Sequence, residues 1–234
     1  MSACNFTIIL PKKTIKKLGK FLIDYPENEV INHLYIDTKH SPPTLHLINK
    51  EPYVGTSTNV NVDQNTLPTS LKKMFIDCHT HPPAAYEEFN TNIGYPSNAD
   101  YCTILENIVK NQQLFHILVA VEGLYVIGLH PNRIKDISTS KNKTQLYEKW
   151  MKKYEKYINK ISHTKQGKNP SNDAPSCWKE GNDTMCIRGV GDYVIQVNDG
   201  ELFYIQFVPH TNGDTKLTVS ANKCNRFNFN INNI

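Results

Sequence analysis

Apolar residues recur along this chain with two different periods, and the switches between those periods mark out its elements. Asn5 to Leu10 reads as a short strand, and Pro11 then opens a segment in which Ile15, Leu18 and Leu22 recur at i, i+3 and i+7. Lys12, Lys13, Lys16, Lys17 and Lys20 fall on the opposite side, so the spacing predicts an amphipathic helix that Tyr25-Pro26 ends. Glu29 to Ile36 is β-branched and aromatic, Ser41-Pro42-Pro43 is a turn, and Leu45 to Ile48 and Met74 to His81 are strands around a polar stretch from Thr56 to Pro68. Ser97 to Asn111 reads as a helix with Tyr101, Leu105, Ile108 and Val109 inward. Leu114 to Val121 and Leu124 to Leu129 form a hairpin about Glu122-Gly123.

Leu146, Trp150, Tyr154 and Ile158 fall every four residues on a long basic helix from Thr144 to Ile161. Ser162 to Asp183 is polar and reads as a linker. Beyond it, Met185 to Val197 and Glu201 to Val208 flank Asn198-Asp199-Gly200, a hairpin signal, and Lys216 to Val219 supplies a third strand. The expected organisation is an α/β domain over residues 1–163 with a mixed sheet wrapped by helices, a linker over 164–183, and a small β-meander appended over 184–234.

Composition narrows the classes. Leu, Ile, Val and Phe make up 60 of the 234 residues, enough to order most of the chain. The longest apolar run, Ile117 to Val121, is far too short to span a bilayer, so no membrane role is expected. The opening Met1-Ser2-Ala3-Cys4-Asn5 carries no secretory pattern, and Cys4, Cys78, Cys102, Cys177, Cys186 and Cys224 form no C-x-x-C pair. Free thiols in a reducing, intracellular, cytoplasmic setting are the expectation. Net charge is +4, but the basic residues are 23 Lys and only 3 Arg, which argues against sequence-specific nucleic-acid recognition.

The candidate chemistry lies in three places: Glu29, His79-Thr80-His81-Pro82, and Ser97-Asn98-Ala99-Asp100. Residues two apart on a strand share a face, so His79 and His81 present their imidazoles together at about 6.5 Å backbone spacing and can share one metal ion. Asp100, in the first turn of a following helix, could complete a His/His/carboxylate set with a fourth position left for water. Glu29 is the candidate general base, and Ser97 with Asp100 also has the form of a helix capping box.

In this order, the strand Glu, the His-x-His-Pro and the Ser-x-x-Asp resemble the JAMM (MPN+) family of zinc metalloproteases, over roughly residues 5 to 163. The resemblance implies the JAMM/MPN-like, cytidine-deaminase-like layout, with one zinc ion per chain bound by His79, His81 and Asp100. It further implies Glu29 as base and proton shuttle, Ser97 steadying the oxyanion, and a protein substrate, with ubiquitin-like conjugates as the family's common isopeptide targets. One departure is large: the family usually places seven residues between the second His and the Ser, whereas Pro82 to Pro96 makes fifteen here. The added residues, Glu87-Glu88-Phe89 among them, suggest a lid or a partner-binding loop. Pro96 before Ser97 is similar to prokaryotic, phage and large-DNA-virus members, and the composition fits the last best.

Rival readings stay open on the sequence. Phe75 to His81 also resembles the first strand of metal-dependent amidohydrolases, although too few residues follow to complete a (β/α)₈ barrel. A two-histidine, one-carboxylate iron site uses the same ligands and leaves Glu29 and Ser97 without roles. A structural or assembly protein, for instance a virion component, would keep the fold while the C-terminal appendage binds a partner. Asp77 shares the face of His79 and reads either as its supporting partner or as an exposed strand end. Cys78 faces away into the core, and His33, His116, His130 and His210 read as structural. In the tail, Phe227, Phe229 and Ile231 alternate with asparagines as a strand able to add to a sheet edge.

Overall fold

Strand β1 (Cys4–Leu10) leads into helix α1 (Lys12–Asp24), whose buried Ile15, Leu18, Phe21 and Leu22 form the stripe that the lysine pattern predicts. Pro11 cannot cap this helix with its side chain. The Lys12 N–H instead donates to the Asp214 carboxylate at 2.7 Å, an acidic partner suited to a helix N-terminus. There follow β2 (Val30–Asp37), β3 (Thr44–Leu47), the two-residue β4 (Tyr53–Val54), β5 (Phe75–Thr80), α2 (Pro83–Glu88) and α3 (Asn98–Val109). The chain continues through β6 (Phe115–Val119), β7 (Gly123–Leu129), α4 (Pro131–Thr139), α5 (Lys143–Ser162), β8 (Asp192–Val197), β9 (Gly200–Pro209) and β10 (Thr215–Ala221). The computed structural model describes residues 4–48, 51–58, 60, 75–88, 94, 96–109, 113–162, 192–197, 200–210 and 212–221.

All ten strands belong to one curled mixed sheet in the order β10-β1-β3-β2-β5-β6-β7-β9-β8, with β4 alongside β2. Among the described strands, only β1 with β3 and β5 with β6 run parallel. This is the expected α/β class with a mixed sheet and helices. It is not the all-parallel barrel that the amidohydrolase reading requires. The C-terminal strands depart from the expected meander: β8 and β9 form a hairpin that extends the sheet beyond β7, whereas β10 pairs with β1 from Cys4↔Ala221 to Leu10↔Thr215. The physical reason is the open edge of β1, where Leu217 and Val219 bury beside Ile8 and Phe6. Gln206 on β9 then reaches β10 with its side chain, donating to the Lys216 carbonyl and accepting from the Thr218 N–H, both at 3.3 Å. Residues 164–183, expected as a linker, and the alternating tail lie outside the described residues.

Alternation along the strands sends side chains into two cores. Phe115, Ile117 and Val119 of β6 pack on the α1 side with Ile76, Cys78 and Leu34, while Leu118 joins Tyr125 and Ile127 of β7 beneath α3, α4 and α5. Because helices cover both of its faces, β6 is buried at every position, which explains the unbroken apolar run there. No described helix is long and apolar enough to cross a membrane. Between parallel neighbours β5 and β6 the chain crosses over through α2 and α3, so the N-terminus of α3 meets the carboxyl end of β5. In open parallel α/β sheets, the carboxyl ends of such strands are where ligands bind.

Candidate metal centre

Register builds the site. In the antiparallel pairing of β2 with β5, Ile31 lies opposite His79, and continuing that pairing by two residues sets Glu29 opposite His81. The Glu29 backbone is tied on its other side, donating its N–H to the Thr56 carbonyl at 2.6 Å and accepting from the Gly55 N–H at 2.9 Å. His81 extends β5, its N–H bonded to the Val119 carbonyl of β6 at 2.9 Å. Asp100 comes from the third position of α3, where Ser97 caps the helix: the Asp100 N–H donates to Ser97 Oγ at 3.2 Å, and the Ser97 N–H donates to Asp100 Oδ2 at 2.6 Å. The capping box seen in the sequence therefore aims the carboxylate.

The donor atoms converge. His79 Nε2 lies 3.1 Å from Asp100 Oδ1, His81 Nε2 lies 3.3 Å from Asp100 Oδ2, and the two Nε2 atoms are 3.4 Å apart. One ligand atom from each of the three residues lies within 4.8 Å of the other two, so the His/His/carboxylate set could hold a metal ion. Glu29 Oε1 stands 3.9 Å from His81 Nε2, next to this cluster and outside its tight core. The four side chains are only 9–16 % exposed.

The electrostatics favour a cation. Burial works to raise the Asp100 carboxyl, but the His79 and His81 imidazoles outweigh it and hold Asp100 well below the usual carboxylate range. Burial disfavours a charged His81, yet Asp100, Glu29 and the Gly94 carbonyl together push that imidazole above its ordinary value. Glu29 moves the other way from Asp100: burial raises its carboxyl, His79 and His81 only partly oppose this, and Asp100 adds to it. Two neighbouring carboxylates thus carry divided tendencies, one held ionised and one inclined to accept a proton.

A second layer orients the imidazoles. His81 Nδ1 donates to the Gly94 carbonyl at 3.0 Å, and His79 Nδ1 meets His116 Nε2 at 2.6 Å. Each histidine so anchored turns Nε2 toward Asp100. Burial, and then the His79 charge, depress His116 to about 3, so it is neutral at ordinary pH. His116, which reads as merely structural in the sequence, therefore supports the site. Asp77 does something else: it is buried, its Oδ1 bonded to His33 Nδ1 at 2.7 Å and its Oδ2 accepting from the Asn107 amide at 3.3 Å. It is neither a partner of His79 nor an exposed strand end. Cys78 is buried, its thiol donating to the Asn32 carbonyl at 3.3 Å, and burial raises its pKa.

Glu29, His79, His81, Ser97 and Asp100 thus each lie within hydrogen-bonding or near-contact distance of at least one other of the five, while His116, Gly94 and Glu122, whose carboxylate accepts the Gly94 N–H at 2.9 Å, carry no sequence signal of their own. In comparisons with known proteins, no family model, no curated protein and no solved structure matches the chain.

Proposed function

We propose that this chain is a zinc-dependent hydrolase of amide or isopeptide bonds, the activity implied by its resemblance to the JAMM metalloproteases. The observation that carries the reading is the convergence of His79, His81 and Asp100, whose imidazole nitrogens and carboxylate oxygens approach to 3.1–3.4 Å, with Glu29 Oε1 3.9 Å from His81. A zinc ion held by those three residues would lower the pKa of a water molecule toward about 7 and polarise a carbonyl.

The chain's own residues supply the remaining chemistry. Glu29, whose carboxyl burial already biases toward protonation, takes the proton of the attacking water and returns it to the departing nitrogen. Ser97 Oγ accepts the Asp100 N–H and keeps its own O–H to donate to a carbonyl oxygen gaining charge. Protein conjugates joined through isopeptide bonds, ubiquitin-like ones included, are the proposed substrates. The test is metal analysis of the purified protein together with a di-ubiquitin cleavage assay. One zinc per chain with cleavage supports the reading; selective iron binding, or zinc without hydrolysis of any conjugate, points to the iron-site or assembly-protein alternatives.

A further inference from the structure

Beside the candidate metal centre lies a second polar cluster, built on the same faces of the same elements. The face of β2 and β5 that sets Ile31 opposite His79 also sets His33 opposite Asp77, two residues further along each strand. Asp100 and Asn107 share a face of α3 in the same way, because seven residues make almost two full turns. Asp77 meets both neighbours: its Oδ1 lies 2.7 Å from His33 Nδ1, and its Oδ2 accepts from Asn107 Nδ2 at 3.3 Å. All three side chains are buried, at 1 % exposure for His33, 3 % for Asp77 and 8 % for Asn107. Helix α3 therefore meets β5 at two polar points on one face, Asp100 on His79 at 3.1 Å and, two turns later, Asn107 on Asp77.

Strands β2 and β5 are locked to each other by their ladder from Ile31↔His79 to Tyr35↔Phe75, whereas among the described residues no backbone hydrogen bond joins α3 to the sheet. The helix is held down by apolar packing, in which Tyr101, Ile104, Leu105 and Ile108 join Leu118, Tyr125 and Ile127. Burial of this kind is non-directional, so it presses α3 onto the sheet without fixing how far the helix slides along it. A hydrogen bond between two particular atoms does fix it. We propose that Asp77 is a positioning residue for Asp100: held by His33, it anchors Asn107 and so sets α3 at the height where Asp100 reaches His79 and His81. Burying three polar side chains costs free energy that apolar residues of similar volume would not, which sets this cluster apart from the packing around it. Its consequence rests on the metal reading proposed above, and its geometry on hydrogen bonds and strand register alone.

Asn107→Leu cuts the link to α3 and leaves the His33–Asp77 pair in place. Zinc affinity, measured against a competing chelator well below the melting temperature, should fall about 10-fold. Asp77→Asn combined with Asn107→Asp exchanges donor and acceptor across the same gap and should recover most of that loss. In metal-free protein, nuclear Overhauser contacts from the Asp100 Hβ protons to the His79 and His81 rings read the same spacing. They are expected in wild type and in the double variant, and should weaken in Asn107→Leu. Should Asn107→Leu fail to fold, Asn107→Ser, too short to reach Asp77, carries the same comparison. A lower melting temperature with wild-type zinc affinity and wild-type Overhauser contacts makes Asn107 a merely structural residue and overturns the proposal, as does a folded double variant no better than Asn107→Leu. A wild-type protein that binds no zinc, yet shows the Asp100 contacts and loses them in Asn107→Leu, removes the metal reading and leaves the positioning role of Asp77 standing.

Discussion

Ser97 and Asp100 hold each other: the backbone N–H of each donates to the side chain of the other, at 2.6 and 3.2 Å. A helix cap and a candidate metal ligand are therefore one structure, and the two roles of Ser97 can be separated. Glycine caps a helix nearly as well as serine, within a few tenths of a kcal/mol, whereas alanine costs about 1 kcal/mol. Ser97→Gly should keep the melting temperature close to wild type and Ser97→Ala should lower it. Both should lose turnover by about 10²- to 10³-fold if the hydroxyl steadies the oxyanion. Turnover that follows the melting temperature, with the glycine variant active, would reduce Ser97 to a cap.

His79→Ala or His81→Ala should abolish zinc binding, since two remaining ligands cannot close the site. Metal content per chain after dialysis against a weak chelator checks this, with wild type expected at about one.

Glu29→Gln should retain zinc and fold while stopping hydrolysis, because the amide preserves shape but accepts no proton. The stability effect has a definite sign. A carboxyl raised in the folded state contributes stability below its unfolded pKa and loses it as pH rises through the folded value. Ionised Glu29 is thus a burden at neutral pH, and the Gln variant should melt no lower than wild type there and gain relative to it as pH rises from 4 to 7. A variant that melts lower across that range contradicts the burial of Glu29 described above.

His116 gives the opposite slope. With a folded pKa of about 3, it adds stability above its unfolded value and loses it as pH falls from about 6.5 toward 3. His116→Gln keeps a hydrogen-bonding group beside His79 and cannot be protonated. Its melting temperature should therefore fall less than wild type's between pH 6.5 and 3, the difference between the two curves cancelling the contributions of His81, Glu29 and Asp100. Parallel curves would mean that His116 is not buried neutral.

Truncation tests the placement of β10. A chain stopped at residue 214 loses Leu217 and Val219 from the core, about 1.5–3 kcal/mol each, along with the partner of β1. It should not fold by circular dichroism, whereas an independent C-terminal appendage would leave residues 1–163 intact.

Local pattern made α1, the β6–β7 hairpin and the His-x-His and Ser-x-x-Asp words legible, because each of them is written within a few consecutive turns or rungs. α4 is not legible because only Ile134 and Ile137 mark its inward face, and α2 because six residues carry too little period. His116 and Glu122 were invisible for a deeper reason. They lie 37 residues from His79 and 28 from Gly94, and only strand register brings them there. The partner of β10 was hidden likewise, since an alternating strand says which face is apolar and not which edge it joins.

The pairing of β1 with β10 also sets a clock. The leading strand meets β3 through a single residue pair, Ile9↔Thr44, and waits for its main neighbour until Thr215 to Ala221 have been made. At a synthesis rate of about 5–20 residues per second, that wait lasts on the order of 10–40 s. During that interval Phe6, Ile8 and Leu10 lack the strand that pairs beside them, and folding must close a loop of about 200 residues. Until β10 forms, the open edge of β1 is a template on which another strand could pair.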